Sequence, residues 1–391
     1  MSLMPVEEAQ ARLLALAKPL PREDAPLLHC NGRWLASDVM ALRDQPFTDL
    51  SAMDGYAVQA GSGPWRVTQE SAAGGPVPQP LAPGQAARIF TGAPVPVGAD
   101  AILIQENAER DADLVRCTTG NLLKPGLHLR PQGSDFKDGE VLLRAGSQLG
   151  PAQLGLAALA GHGTLPVHRR PRIAILSTGN ELVAPGAPIP VGKLPSSNSV
   201  MLAAMLQQLP CEISDVGIIA DDLDAMKAAF DSVRHFDLII STGGASVGDH
   251  DLVRPAFAAA GGTLDFWKIR MRPGKPLMAG TLDGAIFLGL PGNPVSAFVT
   301  ATLFVKPLIS HLCGSPTPLP RFSSAPLARD LGPTGERDDY LRARMTPEGA
   351  VALTAQDSAA TRALADANCL IVRPAGSEFA ARDSLVTILP L

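Results

Sequence analysis

The sequence predicts an α/β domain built on a parallel sheet and carried between β-rich segments. Three observations lead there. The apolar runs RIAIL (172–176), DLII (237–240) and AIFLGL (285–290) each lead into a polar loop with glycine: STG, STGG and PGNP. Between them, VMLAAMLQQL and LDAMKAAFDSV repeat apolar residues at helical spacing. Before and after this region the runs are short and broken by Gly and Pro, which marks strands and turns. Strands apolar throughout and alternating with helices form a parallel sheet covered on both faces. In such sheets ligands bind beyond the carboxyl ends of the strands, where all three polar loops lie.

The elements follow in order. Pro5 and VEEAQARLLALA predict a first helix, with proline at its start and acids in its first turn. From about Arg33 to Leu149, WRV, AARIF, DAILIQE and EVLL read as strands. PAQLGLAALAG reads as a helix stopped by Gly161. The α/β pattern begins at Arg169. After it the Pro-rich CGSPTPLPR leads to a tail that contains SLVTILPL and predicts a small β-domain.

Composition narrows the function. A chain of 391 residues exceeds one ordinary core, so two to four domains are expected. Its 46% hydrophobic and 18% charged residues are a globular balance. A net charge of −5 argues against nucleic-acid binding, which needs a basic face, but permits an anionic ligand in a local basic pocket. The five cysteines lie far apart without CxxC, which argues against a zinc site or a disulfide framework. The N-terminus reads as no secretory signal and no apolar run as membrane-spanning, so a soluble cytoplasmic protein is expected.

The first candidate for chemistry is SAMDGYAV (51–58), where Asp54-Gly55 reads as a two-residue hairpin turn. PGNPVSAF (291–298) reads as a strand-loop-helix joint: Asn293 can cap, Pro294 can open the helix and Ser296 lies in the first turn. Free N–H groups there suit an anion. RMRPGKP (270–276) adds Arg270, Arg272 and Lys275, although three cations around a turn also describe a solvated loop. The acids Glu181, Asp221, Asp222, Asp249 and Asp251 follow the strand ends, and Asp135 sits in GSDFKDG. Helix capping is the plain reading for Asp221 and Asp222, and an Asx-turn for Asp135. Carboxylates without histidines suit Mg²⁺.

Taken in order, SAMDGYAV, IFTGAPVPVGADAILIQE, STGNEL, STGGASVGDHDLV, RPGKP and GLPGNPVS resemble the MoeA-type molybdopterin molybdenumtransferases, a family that includes the gephyrin E domain. The resemblance spans nearly the whole chain. It implies a four-part, L-shaped subunit in a homodimer, with a site facing a cleft shared with the partner subunit. The implied parts are 1–48 with 136–169 (a discontinuous dimerisation domain), 49–135 (β-rich), 170–315 (α/β, similar to the molybdopterin adenylyltransferase) and 316–391 (β). The implied reaction inserts molybdate into adenylylated molybdopterin with Mg²⁺-dependent release of AMP. Carried over by motif, Asp54, Thr91, Asp135, Glu181, Asp221 and Asp251 match catalytic positions, with Glu181, Asp221 and Asp251 as metal ligands. Arg270, Arg272, Lys275, Pro291, Pro294, Ser296, Ser241 and Gly243 match substrate or oxyanion positions, and Arg342 and Ser358 a further oxyanion site. The implied partners are the adenylyltransferase and molybdoenzyme-maturation proteins, without nucleic acid or membrane.

Two residues depart from the family pattern. Asn180 of STGNEL stands where Asp is usual, and Arg272 of RPGKP where Lys is common. Two rival readings stay open on the residues alone. One is a nucleotidyltransferase that makes the adenylate, against which the flanking domains argue. The other is a gephyrin-like scaffold, against which the retained acids argue.

Overall fold

The computed structural model describes residues 3–243 and 252–391. Asp249 and Asp251 lie outside the described residues. The chain forms two compact units: Met1–Glu23, Gly32–Ala36 and Val167–Leu391 make the first, Asp24–Asn31 and Ser37–Pro166 the second.

The first unit holds a six-stranded sheet in the order Glu212–Ile219, Arg172–Thr178, Leu238–Thr242, Ala285–Leu290, Met278–Leu282, Thr263–Trp267. The first four strands are parallel, as their continuous apolar character predicts. Met278–Leu282 pairs antiparallel with both Ala285–Leu290 and Thr263–Trp267, so the sheet is mixed. The hairpin between Met278–Leu282 and Ala285–Leu290 turns through Asp283-Gly284, both at positive φ (49° and 88°), with Leu282 opposite Ala285. This is the Asp-Gly turn chemistry that the sequence reading assigned to Asp54-Gly55.

Helices cover both faces. On one, Phe230 and Phe257 from Leu223–Ser232 and Val253–Ala259 meet Phe287 of the sheet, with ring centroids 4.2–5.5 Å apart. On the other lie Asn198–Leu206, the N-terminal helix Val6–Ala15 and the helical stretch from Pro294 to Leu312. The N-terminal helix, grouped by the sequence reading with residues up to 48, instead buries Val6, Ala9 and Leu13 in the α/β core. Its Gln10 Nε2 donates to the Leu303 carbonyl at 2.8 Å. The Pro294–Leu312 stretch, 19 residues, is long and apolar enough to cross a membrane, contrary to the expectation that no run reaches that length. Its apolarity serves the core, since 78% of its most apolar 18-residue window is buried inside the fold. Wider π-type turns at Ala301–Val305 interrupt it.

The C-terminal segment adds a second sheet, ordered Met271–Arg272, Asp338–Thr346, Cys369–Arg373, Leu385–Pro390, Ser323–Pro326. Its first strand comes from RMRPGKP, pairing Met271 with Asp338 and Arg272 with Asp339. The cationic loop is therefore anchored to the C-terminal β-domain by a sheet ladder, which no local pattern reveals.

The second unit centres on a sheet ordered Ala101–Ile104, Gly55–Val58, Gln85–Ile89, Trp65–Ser71, Leu114–Cys117, Ala108–Asp111. Asp54-Gly55 is not a hairpin corner here, because the strands on either side of it join different sheets: Leu50–Ser51 pairs with Leu129–Arg130, and Gly55–Val58 with its two sheet neighbours. Glycine is needed at 55 for closeness instead. A Cβ there would lie 2.0 Å from the Leu103 carbonyl oxygen.

Candidate functional site

A cavity of about 800 Å³ opens in the first unit at the carboxyl ends of Arg172–Thr178, Leu238–Thr242 and Ala285–Leu290. This is where a parallel sheet puts its ligand. Each strand stops because its sequence changes from apolar to Gly, Ser, Thr, Pro and Asn, residues that leave the ladder and expose polar backbone. Thr178, Gly179 and Glu181 come from the first loop, Thr242 and Gly243 from the second, and Pro291, Gly292, Asn293 and Pro294 from the third. Asp221, Pro276, Asn198 and two residues of the C-terminal segment, Ala359 and Thr361, also line it.

The acids Glu181 and Asp221 thus share one cavity. Gly179 (φ +148°) makes room for the first, since a Cβ at 179 would lie 2.6 Å from a Glu181 carboxylate oxygen. The second is held by a reciprocal pair. The Asn180 backbone N–H donates to Asp221 Oδ2 at 2.9 Å, and the Asp221 N–H donates to Asn180 Oδ1 at 3.1 Å. The departure at Asn180 therefore has a local job: its side chain accepts from backbone and leaves Asp221 oriented. Lys193 donates to the Asn180 carbonyl and ties the loop down further. Asp222 caps the next helix, its Oδ1 accepting from the Ala225 N–H at 2.9 Å.

At the opposite wall, Pro294 opens the helix and Ser296 is buried in its first turn. Asn293 sits at the cap position but makes no capping bond. Its Nδ2 donates instead to Ser358 Oγ at 2.9 Å, and the Ser358 carbonyl accepts the Val295 N–H at 3.1 Å. Ser358 is presented by Arg342, a guanidinium only 1% exposed. Arg342 Nη2 donates to the carbonyls of Ala355 (2.9 Å) and Asp357 (3.0 Å), while its buried Nε has no partner among the described residues. Arg342 is thus a buried cation whose donors shape the loop.

The three cations of RMRPGKP divide. Arg272 pairs with Asp339, which is 3% exposed, and Arg270 lies 3.8 Å from Asp338. Both spend charge on the C-terminal sheet. Lys275 is exposed and pairs with no carboxylate among the described residues; its neighbour Pro276 lines the cavity. Ser241 is fully buried in its strand, so its backbone, not its hydroxyl, precedes the loop.

Asp54 and Thr91 meet in the second unit. Asp54 Oδ1 accepts from the Thr91 N–H (2.7 Å) and from its hydroxyl (2.8 Å), joining two loops 37 positions apart. The Thr91 N–H, then its hydroxyl, hold the Asp54 carboxyl below the usual range. Asp135 is exposed on a loop pinned by its N–H to the Gln45 carbonyl at 2.9 Å. Asp251 falls outside the described residues.

Residue reading missed Thr178, Asn198 and Thr361 on the cavity wall. The signal for Asn198 was faint, because Ser-Ser-Asn before a helical pattern reads as an ordinary cap.

Comparison with known proteins covers the whole chain. Residues 4–161 match the model of the MoeA N-terminal region (domain I and II), 174–311 that of a probable molybdopterin binding domain, and 324–391 that of the MoeA C-terminal region (domain IV). A molybdopterin molybdenumtransferase of Haemophilus influenzae is 37% identical over 80% of this chain and 78% of its own length. Molybdopterin molybdenumtransferase 2 of Mycobacterium tuberculosis is 36% identical over 93% of each. The crystal structure of a molybdopterin biosynthesis moeA protein from Pyrococcus horikoshii OT3 aligns at a TM-score of 0.84 with 26% identity, covering 100% of both chains. With its three regions matched in order and its relatives matched nearly end to end, this chain belongs to the MoeA family of molybdopterin molybdenumtransferases.

Proposed function

We propose that this chain is a transferase of molybdenum cofactor biosynthesis that inserts molybdate into adenylylated molybdopterin and releases AMP. The observation that carries this reading is one cavity walled by Glu181 and Asp221 on one side and by the Asn293–Pro294 helix start, tied to Ser358, on the other. An acidic side and an oxyanion-binding side are what a pyrophosphate-bearing substrate and a tetrahedral oxyanion need together.

The two exposed carboxylates offer hard oxygen donors without nitrogen or sulfur ligands, a set that fits Mg²⁺. Glu181 and Asp221 would hold it, with Asp251 as the third candidate. A cation held there would offset pyrophosphate charge and polarise the bond to AMP. The chain's own groups do the rest. Asn180 keeps Asp221 pointed, the helix N-terminus and Ser358 orient the oxyanion, and Lys275 supplies positive charge at the rim. Holding molybdate beside the dithiolene converts a bimolecular encounter into a local one.

The same reading makes the protein a cytoplasmic homodimer. The test of function is AMP release from adenylylated molybdopterin with and without molybdate. Molybdate-dependent release supports the reading. Adenylate synthesis from ATP and molybdopterin would favour the adenylyltransferase instead.

A further inference from the structure

Residues 193–198 run across the carboxyl ends of three neighbouring strands, and 194–198 line the cavity without a break. This segment bonds to the loop after each strand. Lys193 Nζ donates to the Asn180 carbonyl, and the Leu194 N–H to the Glu181 carbonyl at 2.9 Å. Ser196 gives its N–H to the Val183 carbonyl at 2.9 Å and its buried hydroxyl to Ser177 Oγ at 3.3 Å. Ser197 stands at the cap position of the next helix but makes no side-chain capping bond. Asn198 reaches the other two loops: its Nδ2 donates to Thr242 Oγ1 and to the Gly292 carbonyl, both at 2.7 Å. A carbonyl accepts and never donates, so the amide nitrogen faces Gly292 and its two hydrogens serve the two bonds.

The first of these loops carries Glu181, and the third opens a helix at Asn293 and Pro294. The second and third loops meet closely, since a Cβ on Gly292 would lie 3.5 Å from the Gly243 Cα, so a shift of one is felt by the other. Misplacing reacting groups by about 1 Å is enough to cost an enzyme much of its rate. We propose that Asn198 is a positioning residue: by tying Thr242 to Gly292 it seats the oxyanion wall at a fixed distance from the acidic wall. This rests on the function proposed above and deepens it, because one substrate must reach both walls at once. The acidic loop keeps its own ties through Lys193, Leu194 and the Asn180–Asp221 pair, so loss of the Asn198 amide frees the oxyanion wall selectively.

The experiment uses the full chain and Asn198→Leu, which keeps the volume and removes both donors. Molybdate and Mg²⁺ are each titrated in AMP release, and amide hydrogen exchange is followed at Val295, whose N–H donates to the Ser358 carbonyl at 3.1 Å and so reports the seating of the third loop. In Asn198→Leu the molybdate concentration for half-maximal release should rise about tenfold, the scale of one or two net hydrogen bonds, with the Mg²⁺ requirement within twofold of wild type. Val295 exchange should quicken by a similar factor while the strand amides of Ile240 and Leu288 keep their rates. Thr242→Val removes one of the two acceptors and should show the same split at about threefold, which keeps the inference testable if Asn198→Leu does not fold. Equal rises for molybdate and Mg²⁺, or faster exchange at all three amides, would mean general damage and overturn the inference. Wild-type behaviour in either variant overturns it too. Absence of molybdate-dependent AMP release in wild type would remove the functional reading, while the exchange comparison still decides whether Asn198 seats the loop.

Discussion

Arg342→Met should weaken molybdate use without unfolding the protein. Arg342 is 1% exposed and gives Nη2 to the carbonyls of Ala355 and Asp357, the residues that lead to Ser358 and to the cavity-lining Ala359 and Thr361. Two charge-assisted bonds contribute about 3–6 kcal/mol gross at about 1.5–3 each. Against this stands the burial of a guanidinium with no carboxylate bonded to it, a cost of several kcal/mol that Met does not incur. Burial accordingly pulls the Arg342 pKa down, with the charge of Asp357 opposing. The two sums nearly cancel, leaving a net loss of about 1–2 kcal/mol, confined to the segment that Arg342 pins. At 1.4 kcal/mol per factor of ten, that is a rise of about five- to thirtyfold in the molybdate concentration for half-maximal AMP release. Urea melting should change by no more than the same 1–2 kcal/mol, and protease cleavage within 355–361 should quicken. Arg342→Lys keeps the charge but cannot span both carbonyls, so it should resemble Met. Half-saturation within twofold of wild type in Arg342→Met would refute the positioning argument.

Three further outcomes are expected. Glu181→Gln keeps size and removes one of the two carboxylates that line the cavity among the described residues, so it should lower AMP release at least tenfold at limiting Mg²⁺ with an unchanged melting temperature; a Mg²⁺ titration identical to wild type would remove Glu181 from the site. Asp54→Asn keeps an acceptor for both Thr91 bonds, so its melting curve should match wild type from pH 5 to 8 while AMP release falls. The Asp54 carboxyl is held below the usual range, so its clamp is fully present above about pH 4 and is lost only as pH falls through the lowered value. Full activity in Asp54→Asn would leave Asp54 a purely structural tie. Asp237 is drawn up by burial but pulled further down by Arg169, which donates to it at 2.7 and 2.6 Å, and by the Arg172 N–H. Its contribution has the same sign, so Asp237→Asn should cost about 1–3 kcal/mol at pH 7 and flatten the acid limb of the stability curve below about pH 4; an acid limb as steep as wild type would contradict this.

Local sequence determined the pieces. Continuous apolar runs beside amphipathic ones specify covered parallel strands and their helices, and the loops at their ends must be polar; RIAIL, DLII and AIFLGL therefore placed the cavity mouth before any coordinates. Helix starts were legible too, because Pro294 and Asp222 act on neighbours within one turn. What tertiary structure alone decided involves partners far apart in the chain. Asp54-Gly55 and Asp283-Gly284 are the same dipeptide, yet only the second is a hairpin: Leu282 and Ala285 pair with each other, while the strands around Asp54 are claimed by different sheets. Asn293 looks like a cap, but Ser358, 65 positions away, offers its side chain a better partner. Arg270 and Arg272 look like Lys275, but a strand from the C-terminal sheet brings Asp338 and Asp339 to them and not to it. A residue type states what a side chain can bond to; which of those bonds forms depends on what the packed chain brings within about 3 Å.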